Sequence, residues 1–518
     1  MRRFYAVAAA VCLCASLCLL HQDVSAEGVN IKEPSGENFF SYLSKSDDFK
    51  PVKKEKEFLT GKWNKWLIFP WSYKWPTITE ELIREMKEAG FNGGEVQGSG
   101  VQKAKIFQDL GFLFYVGHTT GKGELKLRSH NAKSKVRAQL NRPVCLLKKE
   151  TWDEMTNTIK KVNKHIKKFK NRVAYALGDE ISWSSFTSPC KWDNSPESIE
   201  GFNKWLIERY GSKENVLAQW GNGKEKFMKR MANLDDLQGF YKKNFREWNL
   251  SPWMDAISYM DSQFNNIVGK LVNFTNELDP ETPCGFVGGH APAAYGGSNY
   301  VKTMPKVQFL ESYDIGCSME IIRSFNTDNI PVVQTSFTHP DKPAGLWFYW
   351  FYLAHGNRGV IPWAEGWFKN EEDKKIRLSY GAYVQQLEAV SKKTYDAEWL
   401  HDGIAVYYSH PSIQISFFMD CELHKKTWVH RGSSLSNNLC TMIATHWAWT
   451  KFLEDSRMQY DFLSYRDAVL RGIDPKKYPV LVLPAVFGMS NAEAEAIRIY
   501  VKNGGTVIAD HQTGLFDH

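Results

Sequence analysis

No two cysteines in this 518-residue chain are spaced as C-x-x-C, and the nine present are scattered. That pattern argues against a structural zinc site and leaves any disulfide pairing open. Beyond the first twenty or so residues no apolar run is long enough to cross a bilayer, so a multi-span membrane protein is excluded. The chain also lacks a glycine-rich phosphate loop and an H-E-x-x-H helix. Charge of one sign is in only mild excess, 65 Lys and Arg against 58 Asp and Glu for a formal +7. Such a bias is a weak sign of an acidic partner and no case for nucleic acid. The basic run at 160–172 (KKVNKHIKKFKNR) reads as the solvated face of an outer helix rather than a polyanion site.

What the chain has in abundance is aromatic rings, 14% of residues, including 19 Trp. That suits a protein that packs rings against flat ligand faces, sugars among them. The start supplies the compartment. Arg2 and Arg3, an apolar run over 5–20, and Val24-Ser25-Ala26 before Glu27 form a signal peptide over 1–26. Its removal takes Cys12, Cys14 and Cys18 and lowers the net charge by one, and the product is expected to be secreted or periplasmic. Cys145, Cys190, Cys284, Cys317, Cys421 and Cys440 remain.

After an N-terminal segment at 27–60, short apolar runs alternate with helical patterns over 61–400. Strands are expected at 65–70, 93–97, 112–117, 173–177, 285–288, 307–314, 330–335 and 359–363, with a capped helix at 79–90. Eight strands separated by helix-length segments imply parallel pairing and a (β/α)8 TIM barrel. The interval 182–280 is an elaboration after the fourth strand, helical at 197–210 and 254–278. From 401 to 518 a second α/β unit follows, with strands at 404–408, 460–462, 480–484 and 506–509 and helices at 442–452 and 491–502. It stops early for a complete flavodoxin-like sheet.

In such a barrel, function sits where strands end. Those positions carry Trp71, Glu95, His118, Asp179, Glu180, His290, Glu311, Tyr313, Asp314, Trp363 and Glu365. Carboxylates combined with rings fit glycosidic cleavage, in which one acid protonates the leaving oxygen and another group stabilises or attacks the oxocarbenium-like carbon. Glu180 is the strongest candidate, because Tyr175-Ala176-Leu177-Gly178-Asp179-Glu180 runs an apolar strand straight into two acids. The other reading of Glu180 is a carboxylate paired with a barrel Arg or Lys. Trp71, Glu95, His118, Asp179, His290, Tyr313 and Trp363 are the candidate sugar contacts. No metal or cofactor is called for.

These motifs, in this order, resemble the glycoside hydrolase family 42 β-galactosidases and their retaining relatives. The likeness takes in the Glu at the fourth strand end, Trp205-Leu206-Ile207-Glu208-Arg209-Tyr210-Gly211 with Leu217-Ala218-Gln219-Trp220-Gly221, and the aromatic helix Leu346-Trp347-Phe348-Tyr349-Trp350 before Ala354-His355-Gly356. Tyr500-Val501-Lys502-Asn503-Gly504-Gly505-Thr506 is similar to that family's trimerisation domain, itself like a class I glutamine amidotransferase. The resemblance implies Glu180 as acid/base, a β-linked galactoside-like oligo- or polysaccharide as substrate, and a homo-oligomer, trimer or dimer. No Cys nucleophile follows Val482-Leu483-Pro484, so amidotransferase chemistry is not expected.

Two departures stand out. Asp179 occupies the place of the family's Asn, and the seventh strand, Pro331-Val332-Val333-Gln334-Thr335-Ser336-Phe337, has no carboxylate for a nucleophile. Glu320, in the first turn of a helix beyond the sixth strand, is preferred for that role because a helix start favours an ionised carboxylate. Glu365 is the alternative. Glu311, Asp314, an inverting mechanism and a non-catalytic carbohydrate-binding pseudo-glycosidase complete the range.

Overall fold

The computed structural model describes residues 36–53, 61–71, 78–121, 125, 144–184, 193–221, 223–232, 236, 249–337, 343–363, 381–424 and 441–518. The expected leader lies outside these residues. Eight strands, β1 (Leu67–Ile68), β2 (Gly93–Gln97), β3 (Leu113–Gly117), β4 (Arg172–Asp179), β5 (Cys284–Gly289), β6 (Phe309–Tyr313), β7 (Val332–Ser336) and β8 (Gly359–Pro362), pair in parallel in sequential order, with β1 against β8. This is the expected TIM barrel.

Alternate residues of each strand point inward. Phe69, Tyr115, Ala174, Ala176, Val287, Phe309, Val333 and Ile361 fill the barrel, large rings opposite small side chains. Trp63 plugs the N-terminal end, its indole N–H donating to the Val173 carbonyl at 3.1 Å. Between β1 and β2 a side chain completes the ring. The Asn92 amide accepts from the Ile68 N–H at 2.8 Å and donates to the Trp66 carbonyl at 2.7 Å, in the manner of a strand neighbour. Next to it Gly93 has no alternative, because a Cβ there would lie 2.3 Å from the Phe69 ring.

Helices pack outside. Thr79 caps helix Glu80–Glu88, and Ile83 and Met86 supply its buried face. The elaboration after β4 contains helices Pro196–Tyr210, Lys213–Trp220 and Ser251–Leu278. The last is buried over most of its surface, polar Asp255, Asp261 and Asn265 included. Burial of this kind requires partners, and a hub at Asp48 shows how they are provided. Its carboxylate accepts from Tyr42 Oη at 2.6 Å, Ser262 Oγ at 2.5 Å, Asn266 Nδ2 at 3.0 Å and Trp205 Nε1 at 3.2 Å, and pairs with Lys302 Nζ at 3.2 Å.

The second sheet contains β9 (Ile404–Tyr408), β10 (Tyr460–Ser464), β11 (Val480–Leu483) and β12 (Thr506–Ala509), all parallel in the order β10-β9-β11-β12. The described residues thus hold a four-stranded α/β sheet at the place of the expected flavodoxin-like unit, and a fifth strand is not among them. Residues 36–518 form one compact unit, so passage from helix Gly381–Tyr395 to β9 is not a break between separate bodies. Cys145, Cys284 and Cys317 are buried free thiols. Among the described residues no helix is long and apolar enough to cross a membrane.

Candidate active site

The mouth of the barrel is built at the end of β4. Pairing with β5 shifts register between Ala176 and Asp179, and Glu180 follows in a left-handed conformation, φ 49°. A bulge of this kind re-aims the side chains beyond it. The Glu180 N–H donates to the Val287 carbonyl at 3.0 Å. Facing it, Gly288 adopts φ 75°, and a Cβ there would stand 2.6 Å from the Glu180 nitrogen and 2.7 Å from Asp179 Oδ1. Glycine at 288 is what lets the two acids sit at the wall.

Glu180 accepts a hydrogen bond from Tyr313 Oη at 2.9 Å, and His290 Nε2 lies 3.9 Å from the same carboxylate oxygen. The His290 and Tyr313 rings meet edge to face at 5.1 Å. One turn of the strand period below Tyr313, Glu311 also points inward. It is 2% exposed, its Oε2 accepts from the Gly288 N–H, and its Oε1 has no partner among the described residues. Burial pushes its pKa up to about 8, the charges of Asp179 and Glu180 add to the rise, and the Gly288 N–H opposes it. Glu311 therefore carries a proton at neutral pH.

Rings form the upper wall. Trp71 and Trp363, bridged through their backbones, have centroids 4.2 Å apart, and the half-exposed Phe337 lies between Trp363 and Tyr313. Trp71, Asp179, Glu180, Glu311, Tyr313 and Trp363 line one pocket, floored by Tyr115 and Ile361. Of the candidates from sequence, the fold brings together Trp71, Asp179, Glu180, Tyr313 and Trp363, with His290 directly behind.

Others lie apart from this pocket. Glu95 is inside the barrel beside Gly117, where a Cβ would be 2.1 Å from its Oε1, and it accepts from Gln97 Nε2 at 3.3 Å. His118 follows β3 with φ 53° and is half-buried. Glu365 lies outside the described residues.

Glu320 is displaced from the expected position. It does occupy the first turn of helix Ser318–Phe325, but its carboxylate pairs with Arg323 Nε at 2.9 Å and faces His355 Nε2 at 3.4 Å. Arg323 in turn reaches Asp461 of β10 at 3.0 Å. Two successive left-handed residues, Gly316 and Cys317, separate this helix from β6, and its first turn faces the flank of the barrel. Asp314 belongs to that outer group. Burial, with the charges of Glu320 and Glu454, raises its pKa to about 7. On β7, Thr335 lines the mouth while Gln334 turns outward to Ser312 and Asn357.

Glu311 was legible in part, since Phe309, Glu311 and Tyr313 share the inward phase of β6. The role of Gly288 had no signal in the sequence, because it arises from a contact across strands.

The eight-stranded barrel with its attached parallel sheet is similar in fold to solved family 42 β-galactosidases. A β-galactosidase from the psychrophilic Marinomonas ef1 superposes with a TM-score of 0.62 at 13% identity, over 88% of this chain and 76% of that one. The β-galactosidase from Bacillus circulans sp. alkalophilus gives 0.61 at 14% identity, over 88% and 72%. A family 42 exo-carrageenase from Bacteroides ovatus gives 0.58 at 13%, over 88% and 66%. At these identities the likeness is one of fold. No protein-family model matches the chain, and no curated protein does.

Proposed function

We propose that this protein is a glycoside hydrolase that cleaves β-linked, galactoside-like sugars from oligo- or polysaccharides. The observation that carries the reading is Glu180 held by Tyr313 in a pocket shared with Asp179 and Glu311 beneath the Trp71–Trp363 pair. The fold shared with β-galactosidases supports it. Glu180, partly exposed at the wall, donates the proton to the leaving oxygen. Glu311, in place of Glu320, is the second carboxyl. Its proton must leave before it can meet positive charge at the anomeric carbon while Glu180 must hold one, so the working form of the pair carries a single proton, on Glu180, and turnover falls when that proton is lost or a second is gained. The sequence of the first 26 residues supports export, and the small α/β unit is the part through which copies associate, as trimer or dimer.

A second reading rests on the seventh strand, where Gln334, Thr335 and Ser336 stand without a carboxylate. It makes the protein a carbohydrate-binding pseudo-glycosidase. Purified protein, with Glu180→Gln and Glu311→Gln, is assayed on aryl β-galactosides and on polysaccharides for new reducing ends. Turnover lost in both variants supports the enzyme with this carboxyl pair. Full activity with an unchanged pH profile in Glu311→Gln would pass the second role to another carboxylate, Glu365 first. Sugar binding without reducing ends from the unaltered protein would establish the pseudo-glycosidase.

A further inference from the structure

The wall of the mouth is built in layers. Pairing of β6 with β7 puts Glu311 level with Val333 and Tyr313 level with Thr335, and pairing of β7 with β8 puts Ser336 level with Pro362. Val333 and Thr335 share the inward phase of β7, the first in the barrel core and the second in the pocket. Phe337 is the next residue in that phase, ~7 Å further out along the strand direction and level with Trp363. The Trp363 N–H donates to the Ser336 carbonyl at 2.9 Å, which carries the ladder past the end of β8 and holds the backbone beneath Phe337.

Its ring keeps the inward phase. The centroid lies 5.4 Å from that of Tyr313 and 6.1 Å from that of Trp363. Yet Phe337 is 56% exposed where Tyr313 is 8% exposed, and it is not among the residues that line the pocket. A ring steadied on two neighbours and otherwise open thus stands at the rim, one layer outside the Tyr313 hydroxyl that holds Glu180.

The order of the acids sets the direction of the bond to be broken. Glu311 is the carboxyl that meets the anomeric carbon, and Glu180 serves the leaving oxygen. Glu311 is the deeper, buried and one layer below Tyr313, and Tyr115 and Ile361 floor the pocket beneath. A sugar whose anomeric carbon is near Glu311 therefore directs its leaving group outward, past Tyr313, to the layer of Trp363 and Phe337. Both side chains there are aromatic, so a flat apolar surface is favoured. The C–H face of a pyranose has that shape, whereas a methyl leaving group ends short of it.

We propose that Phe337 is the platform for the leaving sugar and that the protein is selective for substrates whose leaving group is itself a pyranose ring, the next sugar of a β-linked chain. This rests on the hydrolytic reading of the pocket.

Kinetics of the full chain on a β-linked galactobiose and on methyl β-galactoside test it, because only the first has a ring in its leaving group. In the unaltered protein kcat/KM is expected to favour the disaccharide. Phe337→Ala should reduce that preference about 2- to 10-fold, the worth of one ring contact, mainly through the KM of the disaccharide, and Phe337→Tyr, which keeps the ring, should retain it. A loss shared equally by both substrates would mean a structural role and overturn the proposal, as would an undiminished preference in Phe337→Ala. If the unaltered protein turns over neither sugar, the hydrolytic reading fails, and calorimetric titration with galactobiose and galactose decides the role of Phe337 by itself. Tighter binding of the disaccharide, with that margin lost in Phe337→Ala, supports the platform. Equal affinity for the two sugars, absent binding included, overturns it.

Discussion

Two buried carboxylates in this molecule have opposite surroundings, Asp48 and Glu311, each 2% exposed. Asp48 gathers four hydrogen-bond donors and Lys302, and although burial alone would raise its pKa, those partners bring it below the ordinary value. Glu311 has a single backbone donor and two acidic neighbours, and its pKa rises to about 8. The first is a joint that ties residues 36–53 to the inserted helices. At the second, a carboxyl is packed against Asp179 and Glu180 with burial as the main cause of its rise. A carboxyl shifted in this way inside a pocket is what makes Glu311 a candidate for chemistry.

The largest expected effect separates the mouth from the rest of the molecule. Glu180→Gln should lower turnover of substrates with poor leaving groups about 10²–10⁴-fold, the usual worth of a general acid, and largely spare activated aryl glycosides. Paired kinetics on the two substrate types measure the difference. Equal losses on both would deny Glu180 the role of proton donor.

Next is the joint. Asp48→Ala leaves Lys302 buried without its carboxylate and should cost about 3–5 kcal/mol, read from the shift of a urea unfolding midpoint. Glu311→Gln keeps a neutral hydrogen-bonding group in place and should leave the midpoint at neutral pH unchanged or raised. A similar loss in both variants would break the contrast between them.

The pH dependence of stability should then have opposite signs. Glu311 has a folded pKa, about 8, above its unfolded value, ~4.3, so its contribution is complete below ~4.3 and is lost as pH rises through about 8. Asp48 has a lowered folded pKa, so its contribution is present above ~3.9 and is lost as pH falls through the folded value. Melting curves from pH 4 to 9 should show the alkaline decline flattened in Glu311→Gln and retained in a variant of Asp48.

The smallest effect belongs to the ring wall. Trp363→Ala removes one member of the pair with Trp71 and should raise KM about 2- to 10-fold, from ~0.5–1.5 kcal/mol of ring contact, with kcat little changed. A collapse of kcat instead would mean that this pair orients the reacting sugar.

The contrast between Asp48 and Glu311 also separates what could be read along the chain from what could not. The alternation of apolar runs with helical patterns shows the barrel because strand and helix periods are local properties, and Tyr175 to Glu180 shows the acid at the mouth because the end of a strand is visible in its own residues. Inward phase on β6 likewise puts Glu311 beside Tyr313. The expectation for Glu320 was local too, a carboxylate in the first turn of a helix, and on that local point it agrees with the structure. Its failure lies in direction, since the left-handed pair Gly316 and Cys317 sets where that turn faces and Arg323 and His355 then occupy the carboxylate. Asp48 had no signal at all, because its partners lie 6 to 254 residues away along the chain.

The sequence by itself determined eight strands, the order in which they pair, the aromatic and acidic character of their ends and the second α/β unit, all consequences of short-range periodicity and composition. Only the tertiary structure decided which acids share a pocket, that Gly288 must lack a side chain for Asp179 and Glu180 to stand together, and that Asn92 completes the ring between β1 and β2. Those facts depend on distances across strands, which are fixed when the barrel closes and have no representation in neighbouring residues.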